Sequence, residues 1–535
     1  MRLPHISTIV LLMVLAGSLM AQAGKGTFLI RGSVVDAITG QPMDRTDVSI
    51  GSTEHLDQTL QQLLTGKDGS FSFSGLSQGK YWLSASKNGF RKQTYEQHGG
   101  FFSAVVVGPA LSSDHIVFRI HPDASISGKI NDSENEVVPN AIVSLFRRDA
   151  SSGFVRTFQI AQTVSDDRGY YHFGHLEAGR YFVAVSAQPW YNSIAASLRE
   201  SSEYDVVAAD GNDLDRAYPF TYYPGTTNPS LASPIVLNEA QSASADIDLM
   251  AIPSLRLRIN HAASSAAQIS LKQYVFGVLA DVPSTQHYLP DDTLEISGIP
   301  PGTYILEFDS PSPTVPLHGR VIELTADQET DAKIGVAIPA ITGKVQMEGG
   351  LTLTGQAFVR LWNSQRAEAF DTVLGANGKF AFDEDLILPG TYSLFLINGE
   401  SLMVGTITAT GAKVTGQSIY VNGKTPVSLS IQLSHALSQM TGTAQRSGKP
   451  LPGALIMLVP ENANSNLALF RRDQSDSDGS FSLKDILPGK YKIVGIQGGW
   501  DLEWADPAVL KTHFEQAVDV EIRANTKYEM TVKVQ

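Results

Sequence analysis

Short runs of alternating apolar and polar residues recur along this chain, and glycine and proline break them more often than polar tracts do. Phe71-Ser72-Phe73, Tyr171-His172-Phe173, Phe380-Ala381-Phe382 and Phe481-Ser482-Leu483 each set two large apolar residues two apart. That period puts both on one face of a strand, toward a core. Each pair follows a turn signal: Asp68-Gly69, Arg168-Gly169, Asn377-Gly378 or Asp478-Gly479. Asp-Gly and Asn-Gly before alternating sequence predict hairpins. Downstream comes a second phrase, in five copies: Gln78-Gly79-Lys80-Tyr81, Ala178-Gly179-Arg180-Tyr181, Pro301-Gly302-Thr303-Tyr304, Pro389-Gly390-Thr391-Tyr392 and Pro488-Gly489-Lys490-Tyr491. It predicts a tight turn with the glycine at φ > 0, and a tyrosine facing inward from the next strand.

A third marker opens four of the units: Gly32-Ser33-Val34, Gly128-Lys129-Ile130, Gly343-Lys344-Val345 and Gly442-Thr443-Ala444. The third copy is degenerate, with Asp291-Asp292 in place of the hairpin glycine and no glycine in its opening strand, Leu255 to Ile259. Repetition on this scale predicts an all-β chain, a tandem array of about five Ig-like or prealbumin-like β-sandwiches with short helical insertions. The expected boundaries are 24–121, 122–251 with an insertion near 190–215, 252–338 for the degenerate unit, 339–435 and 436–535. Each span is near 100 residues, enough to bury its own core. Joins at Pro122, Pro253 and Pro339 are short and carry no Ser/Gly linker, so an extended, semi-rigid rod is expected. Residues Glu54 to Leu64 read as a short helix or a long hairpin arm, and Asn192 to Arg199 as a helix. Asp506-Pro507 is an N-cap signal for another helix.

Composition narrows the setting. Of 535 residues, 18% are charged and 42% hydrophobic, so the chain is not of the disordered class. Net charge is −14, and without a Lys/Arg run this argues against nucleic acid or anionic lipid as main partner. Residues 1–23 read as a secretory signal, with Arg2 as its n-region charge, an apolar stretch from Ile9 to Met20, and Ala21-Gln22-Ala23 before the cleavage point. No later segment is long enough for a membrane span. There is no cysteine, hence neither a disulfide nor a lipid-anchored Cys. The expected setting of the mature protein is secreted, periplasmic or cell-surface associated.

Taken together, these markers resemble the carboxypeptidase regulatory-like domain, a small transthyretin-like β-sandwich grouped with the carbohydrate-binding-like fold. The resemblance implies an accessory module rather than a peptidase. The residues agree with that. None of the twelve histidines is followed by Glu at the third position, and there is no His-Glu-x-x-His or Gly-x-Ser-x-Gly. His172 and His175 read as surface histidines. Asp476-Ser477-Asp478-Gly479 resembles half a calcium loop but fits a hairpin turn equally well. The Lys–Asn crosslink of some related sandwiches needs a Glu that only Glu307 approximates, while Lys129 and Lys344 lack one. No catalytic residue, metal ligand or cofactor is expected.

Candidate ligand contacts are aromatic: Trp190, Tyr191, Tyr222, Tyr223, Trp500 and Trp504. They suit sugar stacking, against the alternative that they pack cores or joins. The reading that results is a non-enzymatic structural or binding protein, with a glycan or a cell-surface protein as partner. Carbohydrate binding is the alternative, and an accessory role in an outer-membrane uptake or secretion system the third. Oligomeric state is not legible from sequence.

Overall fold

The computed structural model describes residues 28–109, 111, 113–192, 215–262, 268–289, 291–309, 318–332, 341–347, 356–364, 368–382, 387, 389–398, 402–422 and 425–535. The expected signal segment, the Pro339 join and the helix expected beyond Asn192 lie outside these residues. The chain is all-β, a tandem series of β-sandwiches. In the first, β1 (Phe28–Asp36), β2 (Asp47–Ser52), β3 (Gln61–Leu64), β4 (Ser70–Leu76), β5 (Gly79–Lys87), β6 (Phe90–Thr94), β7 (Val105–Val107) and β8 (Ile116–Ile120) form two facing sheets. One sheet has the order β4-β1-β8; the other runs β3-β2-β5-β6, with β7 also on β5. Opening strand β1 pairs antiparallel with β4 and parallel with closing strand β8. Ala124–Asp132, Leu255–Asn260, Ile341–Met347 and Ser438–Arg446 open four further sandwiches with the same pairing, ending on Ile247–Leu249, Gln328–Asp331, Val427–Ser434 and Lys527–Lys533. Residues 54–64 form a hairpin arm ending in β3, not a helix.

The recurring letters have separate physical jobs. Three of the four opening glycines sit tight against the closing segment, and the fourth, Gly343, lies under the Phe380 ring, 2.1 Å from where a Cβ would stand. A Cβ would stand 2.0 Å from the Ile116 carbonyl oxygen at Gly32, 2.3 Å from that of Ala245 at Gly128 and 1.9 Å from that of Met530 at Gly442. The hairpin glycines 69, 169, 378 and 479 are left-handed, at φ between 72° and 78°. In the degenerate unit Asp292 takes that position at φ 67°, and its carbonyl accepts from Ala262 N as Gly69 O accepts from Val34 N.

The Gly-x-Tyr phrase departs from expectation. Gly79, Gly179 and Gly302 are not left-handed; with Gly390 and Gly489 they begin strands. The left-handed residue lies four positions earlier, at Gly75, His175, Gly298 and Asp485, where the preceding strand bulges. The tyrosine ring does face inward, and its hydroxyl closes the bend. Tyr81 donates to Ser77 O at 2.9 Å, Tyr181 to Glu177 O at 2.7 Å, Tyr491 to Leu487 O at 2.9 Å, and Tyr304 to Pro300 O. Each bond spans the connection between two sheets, so one residue fills the core and satisfies a backbone carbonyl there. Burial pushes the Tyr491 phenol up to about 12.

Among the described residues, five apolar clusters have their buried members within one sandwich each, around Phe73, Phe173, Leu257, Phe382 and Phe481. Two more lie between sandwiches. In one, Phe276 at the tip of the hairpin joining Gln268–Val275 to Val278–Asp281 enters an aromatic socket on the second sandwich. Its ring centroid stands 5.1 Å from Phe146, 5.3 Å from Phe182 and 5.0 Å from Tyr222. The other covers the outer face of the fifth sandwich and draws in Phe154 and Trp362. The helix after Asp506 forms as expected (Pro507–Lys511), with Asp506 Oδ1 accepting from Ala508 N at 2.8 Å.

Replacing Tyr491 by Phe leaves the Leu487 carbonyl buried without its donor. The expected cost to the fifth sandwich is about 1–3 kcal/mol, read as a lower urea midpoint at unchanged m-value. An unchanged midpoint would show that the hydroxyl does not hold the bend.

Candidate binding site at a three-domain junction

The extended rod is not what the structure shows: the last sandwich packs against the first. Lys80 Nζ lies 2.5 Å from Asp476 Oδ2 and donates to Ser480 Oγ at 2.9 Å. Ala104 N donates to Asp476 Oδ1 at 2.8 Å, and Ser477 N returns a bond to Ala104 O at 2.9 Å. Ser103 Oγ donates to Ser475 O at 2.8 Å, and Gln474 Nε2 donates to Ser103 Oγ at 2.9 Å and to Glu96 O at 2.5 Å. His98 stacks on Trp500 with centroids 5.0 Å apart and planes 9° from parallel. Burial raises the Asp476 carboxyl above its ordinary value even though Lys80 opposes the shift. Neighbouring Asp473, reached by two backbone N–H groups, is pushed up to about 6 by burial.

The fifth sandwich also touches the second and fourth. Trp504 Nε1 donates to Ser151 O at 3.3 Å, Ala505 N to Gly153 O at 2.9 Å, and Val155 N to Glu503 Oε1 at 2.8 Å. Gln417 N of the fourth donates to Ser465 O at 2.9 Å.

These contacts decide the fate of the six aromatic residues. Tyr222 is buried against Phe276, and Tyr223 packs on the second core. Trp500 is covered by His98 and leans on Phe101. Trp504 is 8% exposed. As open stacking platforms Tyr222 and Trp500 are therefore corrected, because other domains take their faces, and so is Trp504, whose ring is occupied by Arg472 and Phe470 of its own sandwich. Trp190 is 68% exposed with its ring edge-on to Tyr191 at 5.7 Å.

The other marked residues stay apart from one another or turn inward. His172 is exposed, while His175 Nδ1 lies 2.6 Å from Asp123 Oδ2. Asp476 belongs to the interdomain contact described above. Glu307 pairs with Lys272 Nζ at 2.8 Å, and Lys129 Nζ stands 5.9 Å over the Tyr170 ring. Among the described residues no group of three or more His, Cys, Asp or Glu could hold a metal ion, and no helix is long and apolar enough to cross a membrane.

Where the first, fourth and fifth sandwiches meet there is a cavity of about 490 Å³. Phe101 comes from the first, Phe395 and Met403 from the fourth, and Phe470 and Trp504 from the fifth. Strand Arg471–Gln474 runs along it and supplies two guanidinium groups. That of Arg471 is spent on the carbonyls of Ala468, Phe470, Lys484 and Asp485. That of Arg472 lies 3.8 Å from the Trp504 ring centroid and 5.2 Å from that of Phe101. Burial alone pulls Arg472 down to about 10. Sequence reasoning found Trp504 but missed Arg472, since Arg471-Arg472 reads as an ordinary edge strand. One signal was available: Leu455 to Val459 is apolar without alternation, as a strand covered on both faces must be, and all six residues of Leu455–Pro460 are buried.

The comparisons bear on the family rather than the site. No curated protein matches the chain. Among solved structures, the Bacillus anthracis TIE protein is 10% identical over 92% of this chain and 69% of its own, with a TM-score of 0.16. A streptococcal ancillary pilin is 10% identical over 57% of this chain and 98% of its own, at 0.19. BcpA, the major pilin subunit of Bacillus cereus, is 11% identical over 77% and 99%, at 0.15. Superpositions this loose carry no argument. The carboxypeptidase regulatory-like domain model, in contrast, matches residues 29–109 and again 125–209. Over those residues the first two sandwiches are similar to carboxypeptidase regulatory-like domains.

Proposed function

We propose that this is a secreted, non-enzymatic structural and binding protein of the cell surface or periplasm, whose sandwiches work as one clasped body. The observation that carries the reading is the contact between the first and last sandwiches. It uses Ser103, Gln474 and Ser475, each no more than 1% exposed, and a part-buried ion pair between Lys80 and Asp476. Side chains at such depth are spent on holding domains together, which suits a scaffold. Export rests on the reading of residues 1–23, and the natural partner under this proposal is a glycan or another surface protein.

Charge reversal tests the clasp. Lys80→Glu places two carboxylates together and should separate the outer sandwiches, raising the maximum dimension in small-angle scattering. Five 100-residue domains end to end would span roughly 170 Å, which sets the open limit. Adding Asp476→Lys restores the charge pair, though not the acceptor for the Ala104 amide, and should recover part of the smaller dimension. A wild-type profile already at the open limit would end the proposal. Export is checked by sequencing the N-terminus of protein recovered outside the cytoplasm, where Gly24 is the expected first residue.

A second reading, carbohydrate binding, is favoured by Trp190 alone among the six aromatic residues, since its ring reaches solvent. On a glycan array, Trp190→Ala should abolish any signal the wild type gives. A signal untouched by that change would remove Trp190 from the site.

A further inference from the structure

The Arg472 guanidinium is half-buried and turns part of its N–H edge to the cavity. A cation that gives up part of its hydration usually gains a carboxylate or a set of carbonyls in return. Arg471, its neighbour, has four carbonyl partners. Arg472 has no hydrogen bond or ion pair among the described residues, and only the rings of Trp504 and Phe101 attend it. Ring contacts attract the cation but accept none of its hydrogens. Rings engage the plane of a guanidinium and leave its N–H edge as the unspent part.

The surroundings share this bias. The charged residues lining the cavity are Arg471, Arg472 and Lys484 against Asp485 alone, in a chain of net charge −14. The remaining wall is largely apolar, with Phe395, Leu402, Leu437 and Leu467 among its members. A volume of about 490 Å³ lies within the usual range for small-ligand sites, and such sites combine an apolar wall with a few convergent polar groups. We propose that this junction binds a small amphiphilic anion, its carboxylate or phosphate on the N–H edge of Arg472 and its apolar body against the phenyl and leucine wall. Three sandwiches contribute, so the site is complete only in the clasped protein. Its ligand class is independent of whether the chain also binds glycans.

The test uses the whole mature chain from Gly24 and four probes with one eight-carbon body: octanoate, octyl phosphate, octanol and octylamine. Calorimetric titration should show one or both anions binding at least about tenfold more tightly than octanol and octylamine. The tighter of the two names the head group. Arg472→Met should bring anion binding down to the octanol level while leaving the melting temperature near the wild-type value, since no partner among the described residues loses a hydrogen bond. Lys484→Met, at an exposed position on the rim, should weaken the anions about two- to threefold and serves if the first variant does not fold. Octanol binding as tightly as octanoate would reduce the site to an apolar crevice. Arg472→Met with a lowered melting temperature and undiminished anion binding would make Arg472 mortar between rings. Absence of binding by all four probes at millimolar concentration would also overturn the proposal.

Discussion

A carboxylate cannot be buried between two domains without something to answer its charge, and Asp476 is so buried. Its two oxygens are met by Lys80 and by the amide of Ala104, both from the first sandwich. Removing Lys80 would leave the less exposed carboxylate without its counter-charge, which is the costly way to break such a pair. The arrangement of the ends of the chain therefore depends on a match made across nearly four hundred residues. Once the fifth sandwich is docked there, Trp500 meets His98, Trp504 is covered, and the walls of the three-domain cavity come together.

Joins that looked stiff turn out to be packed corners. Proline at Pro122 and Pro253 limits local bending, but the direction each domain takes is set by what it leans on. Between the second and third sandwiches that is Phe276, seated among Phe146, Phe182 and Tyr222. Arg216–Ala217 also pairs with Ile252–Pro253 across the same boundary. Short connections restrict reach, and side-chain fit chooses the angle.

The sandwich class was legible because its cause is local. Alternation at Phe71 and Phe73 and left-handed glycine at Gly69 or Gly479 are decided within one hairpin, and they repeat. The glycine of the Gly-x-Tyr phrase was misjudged because the strained position lies four residues earlier, where Gly75, His175, Gly298 and Asp485 share no common letter. A bulge is a backbone event that several residue types tolerate, so it leaves no fixed signature. The tyrosine was read as an inward residue but not as a donor, since a phenol reaching a carbonyl four residues back depends on that unseen bulge. The clasp was beyond reach altogether. Gln474-Ser475-Asp476 looks like any polar approach to a hairpin, and nothing in it names Ser103 or Lys80 as partner. Arg472 was hidden for the same reason, because its surroundings come from three domains.

The parallel pairing of opening and closing strands has a mechanical consequence. In each sandwich the chain enters on one strand and leaves on its direct neighbour pointing the same way, as β1 and β8 do over Gly32↔Ile116 to Asp36↔Ile120. Tension along the chain pulls the two strands in opposite directions along their shared axis. Their hydrogen bonds are then loaded in shear and must yield together, whereas a hairpin pulled from its open end unzips one bond at a time. Every sandwich thus presents its strongest direction to a pull, and the clasp, a side-to-side contact held by a few polar groups, is the element that would give way first.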